Sequence, residues 1–117
     1  MRRQQPLRRA DYLRHMADAI DNIQNYTAGM NASGFKADRK TQDAVIRNLE
    51  IIGEACNNML KNDAAFAQAH PEMHWGFAYE MRNAPSHGYF NVDLDIAWAT
   101  VTSDLPSMKA QWALLTP

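Results

Sequence analysis

Apolar positions recur along most of this chain at alternating steps of three and four, the signature of helices that bury one face. Leu13, Met16, Ile20 and Ile23 form the first such seam, with Asp18, Asp21, Asn22, Gln24 and Asn25 between them, which predicts a helix from near Ala10 to Tyr26. Gly29, Asn31, Ser33 and Gly34 read as a loop, with Asp38 or Thr41 able to cap the next helix. The second seam is the clearest: Val45, Leu49, Ile52, Cys56 and Met59, widened by Ala44, Ile51 and Ala55, place this helix in the core. Gly53 on it leaves room for close approach of a neighbour. Ala64 to Ala69 reads as a short helix stopped by Pro71, and Trp75, Ala78 and Met81 as a helix ending near Asn83. Asn91 or Asp93 can then cap a last helix whose seam runs through Leu94, Trp98, Val101, Leu105, Met108, Trp112 and Leu115. Pro106 falls inside that seam without shifting its phase, which predicts a kink or two nearly coaxial segments.

No stretch alternates with a period of two, and no turn has hairpin chemistry. The expected fold is therefore all-α, an up-and-down bundle of four main helices with an additional short one. At 117 residues the chain is expected to form one domain, residues 1–117, with a core large enough to need neither disulfide nor structural metal. The single cysteine, Cys56, lies among apolar neighbours and reads as a buried thiol in a reduced, cytoplasmic protein. No apolar run reaches the roughly 20 residues that span a bilayer, so no membrane is expected as partner. The seven methionines and three tryptophans read as core filling, not as a cofactor box, and no cofactor is expected.

Net charge is −1, yet Arg2, Arg3, Arg8, Arg9 and Arg14 make the start of the chain basic. Residues 1–9 read as an arm, solvated in the favoured reading and touching RNA phosphates in the other. His70 and His74 stand four apart, but Pro71 separates them and no third ligand is near, which argues against a metal site. Along the second helix Arg47, Glu50, Glu54 and Asn57 make a polar row, read first as solvated pairing and second as the lining of a shared cleft.

The chemistry concentrates between Met81 and Phe90, where Arg82, Asn83, His87 and Tyr89 stand within eight positions. On an unbroken helix, Arg82 and His87 would point roughly 140° apart. Pro85 and Gly88 favour a bend that can bring both to one cleft. Capping alone would account for one Arg and one His; the added Asn83 and Tyr89 favour a site. Arg with His, and no acidic pair, suits phosphodiester cleavage in RNA. His87 would take the proton of a ribose 2′-OH or give one to the leaving 5′-oxygen, and Arg82 would donate to the non-bridging oxygens. One imidazole cannot readily do both, which a symmetric dimer would remedy.

Arg82, four residues, His87, one residue, Tyr89 resembles the motif of HEPN-domain ribonucleases, particularly the HepT toxin family. The resemblance extends to Ala44-Val45-x-Arg47-x-Leu49-x-x-Ile52-Gly53-Glu54-Ala55, to Trp75 ahead of Met81-Arg82-Asn83, and to Asp93-Leu94-Asp95 with Trp98. It implies an HEPN-like bundle that forms a homodimer with two motifs facing one cleft, and a metal-independent endoribonuclease acting as a toxin. It gives Arg82 and His87 catalytic roles and Asn83 a supporting one. It also implies an MNT-type nucleotidyltransferase antitoxin that silences the toxin by transferring AMP from ATP to Tyr89, as in a type VII-like toxin-antitoxin system. The chain departs from the family in Ala84-Pro85-Ser86, where bulkier, often aliphatic or basic residues are common. Two alternatives stand beside the toxin: a catalytically silent HEPN module that binds nucleotide or RNA through Arg82 and His87, and a helical adaptor for the nucleotidyltransferase.

Overall fold

Asp38 opens the longest helix by doing two jobs at once. Its carboxylate accepts from the Thr41 backbone N–H at 3.0 Å and from the Thr41 hydroxyl at 2.8 Å, filling a donor that the first helical turn leaves without a partner. In the computed structural model, which describes residues 9–77 and 93–115, six α-helices arise from such local choices. They are α1 (Arg9–Thr27), α2 (Ala32–Lys36), α3 (Arg39–Asn62), α4 (Ala64–Ala69), α5 (Leu94–Ala99) and α6 (Leu105–Leu115), with a π-helical turn, Thr100–Asp104, between the last two. The fold is all-α, and the described residues contain no strand.

The Asp38 contacts hold its carboxyl below the ordinary value of 3.8, the Thr41 backbone hydrogen bond first and the hydroxyl second. A lowered folded pKa means that this contribution is complete above the unfolded value and is lost as pH falls through the folded one. Asp38→Ala is therefore expected to lower the thermal midpoint at pH 7, and the gap from wild type should close below about pH 4. Paired melts across pH 2–7 measure it.

The two long helices, α1 and α3, run antiparallel and make the principal packing of the bundle. Met16, Ile20 and Ile23 from α1 and Val45, Ile52, Cys56 and Met59 from α3 are almost wholly shielded from solvent. Burial pushes the Cys56 thiol up to about 12, so at neutral pH it stays protonated and inert. Polar contacts mark both ends of this pair. Asn62 Nδ2 donates to the Tyr12 hydroxyl at 3.3 Å, and Asn22 Nδ2 donates to Asn48 Oδ1 at 3.1 Å. Asn48, itself buried, returns its own amide to the Ala44 carbonyl.

Helix α6 lies along α1 in the opposite direction. The Trp112 indole donates to the Leu13 carbonyl at 2.8 Å, and Lys109 reaches Gln24 at 3.0 Å and Asp21 at 3.3 Å. Val101, Leu105 and Met108 are buried, whereas Leu94, Trp98, Trp112 and Leu115 are half-buried at the edge of the same core.

One feature departs from the sequence expectation and a second adds detail to it. The stretch read as a loop folds after Gly29, which takes φ 79°, into α2; Asn31 caps it by accepting from the Gly34 N–H at 2.8 Å. Phe35, fully buried, stacks on Trp98 with ring centroids 5.2 Å apart, and Gln42 of α3 closes the helix by donating to the Phe35 and Lys36 carbonyls. The second feature concerns Pro106, ahead of which the chain widens into the π turn. The Leu105 N–H bonds back five residues to the Thr100 carbonyl. Pro106 offers no N–H to the Thr102 carbonyl, and its ring would press on that group in α geometry. The wider turn makes room, and the Thr100 and Thr102 hydroxyls donate to the Ile96 and Trp98 carbonyls around it.

Candidate active site

The stretch that carries Arg82, Asn83, His87 and Tyr89 falls outside the described residues, as do Asn91 and the expected helix beyond Phe77; Trp75, expected on that helix, lies instead in a turn. What the structure defines is how the chain arrives there and how it leaves. It arrives through α4 and a turn. Asp63, just ahead of α4, pairs with Arg9 of α1, Nε to Oδ2 at 2.7 Å, and the same guanidinium lies 4.0 Å from the centroid of the Phe66 ring. Phe66 also packs on the His70 imidazole at 4.4 Å and meets the Trp75 indole nearly edge-on at 6.3 Å.

His70 then anchors the turn through its backbone. Its carbonyl accepts two hydrogen bonds, from the Met73 N–H at 3.1 Å and from the Trp75 indole N–H at 2.9 Å. Met73, Trp75 and Phe77 are consequently drawn into the core. The imidazole itself is held 3.3 Å from Glu72, and His74 stands edge-on to Phe77 at 6.1 Å. Among the described residues no three His, Cys, Asp or Glu side chains are grouped as metal ligands would be.

On departure, the Asp93 carboxylate accepts from the Asp95 and Ile96 N–H groups at 2.9 and 3.2 Å and caps α5. Of the two caps the sequence offered, Asp93 serves. Asp95 pairs with Lys36 of α2 at 2.7 Å, and its carboxylate, by hydrogen bond first and by charge second, holds the ammonium above the ordinary lysine value. This pair is exposed and contributes little to stability. Nothing in the sequence announces α2 as the neighbour of this exit, because a five-residue helix is too short to show a periodicity.

Arg47, Glu50 and Glu54 all lie on the exposed face of α3. Arg47 Nη1 is 3.6 Å from Glu50 Oε1, with both side chains more than half exposed, which is the weak, solvated pairing of neighbouring turns.

A profile of the family described as "Ribonuclease HepT-like" matches residues 16–114, a span that includes all but the outermost positions of the helix seams, Leu13 and Leu115, and the whole Arg82 to Tyr89 stretch. The chain belongs to the HepT-like ribonuclease family. Within curated relatives of this family, it is 45% identical over 105 residues to a protein of Thermococcus cleftensis named "Probable ribonuclease HepT", covering 90% of this chain and 93% of that one. It is 36% identical over 100 residues to a Methanocaldococcus jannaschii protein named "Gamma-glutamylcyclotransferase and putative RNase". That alignment covers 86% of this chain and 44% of the larger relative. No solved structure gives a significant match. Ribonuclease chemistry, with RNA as substrate, is the activity that membership of the HepT-like family supports. Among the described residues no helix is long and apolar enough to cross a membrane.

Proposed function

We propose that this protein is a metal-independent endoribonuclease and the toxin of a pair whose antitoxin is an MNT-type nucleotidyltransferase. The reading rests on one observation: the HepT-like match, residues 16–114, spans the residues whose side chains suit the reaction, Arg82, Asn83 and His87. In a homodimer with two such sets at one cleft, one His87 removes the proton of the ribose 2′-OH as that oxygen attacks phosphorus. The other His87 protonates the departing 5′-oxygen, leaving a 2′,3′-cyclic phosphate and a 5′-hydroxyl. The Arg82 guanidinium donates to the non-bridging oxygens as charge gathers on them, and Asn83 supports that contact. Tyr89 is the acceptor of AMP, whose phosphate beside the cleft repels RNA by charge and by bulk. Arg47, Glu50 and Glu54 serve as the outer lining of the cleft.

The test uses purified protein, a short RNA and the same strand carrying a single 2′-deoxy nucleotide at the cut position. Cleavage of the RNA to a cyclic phosphate end, unchanged by a chelator, with the deoxy strand intact, is the expected result. Cutting of the deoxy strand, or loss of all cutting on chelation, would overturn the mechanism. Intact mass after incubation with the antitoxin and ATP should rise by one AMP in wild type and stay constant in Tyr89→Phe.

A further inference from the structure

We propose that Trp75 is a positioning residue for the ribonuclease reaction, acting through the hydrogen bond of its indole N–H to the His70 carbonyl; this rests on the function proposed above. Arg82 follows Trp75 by seven positions in the chain. Between α4 and Phe77 the backbone runs as an irregular turn. A helix fixes its direction through a repeating ladder of bonds, but here direction depends on a few contacts. The His70 carbonyl carries two of them, since it accepts the Met73 N–H and the Trp75 indole together. The Trp75 and Phe77 N–H groups complete the turn by bonding the Met73 and His74 carbonyls at 2.9 and 3.1 Å.

The acceptor is itself braced. The His70 ring packs on Phe66, Phe66 lies beneath the Arg9 guanidinium, and Arg9 is tied to Asp63. The start of α1 and the start of α4 are thereby joined to the turn that leads toward the reacting groups. Trp75 is only 6% exposed, so its ring fills core volume as any large aromatic would. The N–H is what a phenyl ring lacks, and it adds a restraint on direction to a contribution that is otherwise bulk. A catalytic group displaced by about 1 Å can lose on the order of a hundredfold in rate. Loosening a turn that stays folded should cost less.

Two replacements separate direction from bulk. Trp75→Phe removes the donor and some volume; site-specific benzothienylalanine at position 75 removes the donor while keeping the ring's size. Both are assayed on a short RNA well below their melting temperatures, with the folded fraction read by circular dichroism. The expected result is a fall in kcat of about tenfold in each, with KM within about twofold of wild type and full helicity. Unchanged kcat with the benzothienyl ring, or a kcat that falls only in step with lost helicity, would show that Trp75 is filling and nothing more. A wild-type protein that leaves RNA uncut defeats the ribonuclease reading, and this inference with it. A cutting wild type with an unaltered position-75 ratio defeats this inference alone.

Discussion

Replacing His87 by alanine is expected to abolish RNA cleavage and to relieve growth arrest on induced expression, with the fold and the proposed dimer intact. In the proposed reaction the imidazole is both the group that takes a proton and, from the other protomer, the group that gives one. General acid and base contributions of this kind are each worth roughly 10²- to 10⁴-fold, and one substitution in a homodimer removes both. What remains should fall below detection in a gel assay. Arg82→Lys is the informative companion. Lysine keeps the charge but cannot offer two parallel donors to a phosphate, so activity should drop substantially without vanishing. Equal RNA integrity in cells expressing wild type and His87→Ala would refute the toxin role. A His87→Ala protein that still binds RNA while failing to cut it separates catalysis from recognition.

Phe35→Ala should produce the largest loss of stability of any single change outside the reaction chemistry. The side chain is fully buried, stacks on Trp98, and is the apolar anchor of a five-residue helix that has little stability of its own. Truncating a buried phenylalanine costs about 3–5 kcal/mol in lost transfer energy and residual cavity. For a chain of this size that is a large share of the roughly 5–15 kcal/mol available. Urea unfolding followed by circular dichroism should show the midpoint move strongly with little change in slope, the signature of lost stability and not of an altered unfolded state. Because α2 meets α5 at Lys36 and Asp95 as well as at the ring stack, RNA cleavage should weaken in parallel even where the protein stays folded.

These two substitutions mark where sequence reasoning succeeds and where it does not. Val45, Leu49, Ile52, Cys56 and Met59 announce α3 by spacing, and all five are buried. A long helix repeats its demand on sequence at every turn, so the signal accumulates. Phe35 makes that demand once. The Asn31 cap and the Gln42 side chain that hold α2 together are single residues with no repeat in the sequence, and Gln42 acts from the next helix. The π turn is hidden for another reason: widening the chain ahead of Pro106 leaves the three-and-four rhythm of the apolar seam legible on both sides. For the candidate site, Arg82, Asn83, His87 and Tyr89 are readable as chemistry, because residue type alone says what a guanidinium or an imidazole can do. Their setting is not, since Trp75 finds its partner in a backbone carbonyl, a group that every residue carries.

The amide pair between Asn22 and Asn48 gives the bundle a fixed alignment. Two smooth greasy surfaces can slide past one another by a turn with little penalty, because aliphatic side chains are poor judges of position. A slip here would leave the shielded Asn48 Oδ1 without its Asn22 donor, although the Asn48 amide keeps the Ala44 carbonyl, and an acceptor stranded in this way costs more than the slide could recover. The outer face of α3 is thereby held at one height relative to α1, and with it the Arg47, Glu50 and Glu54 row. Any strand of RNA reaching along that face would meet those charges at the same level in every molecule.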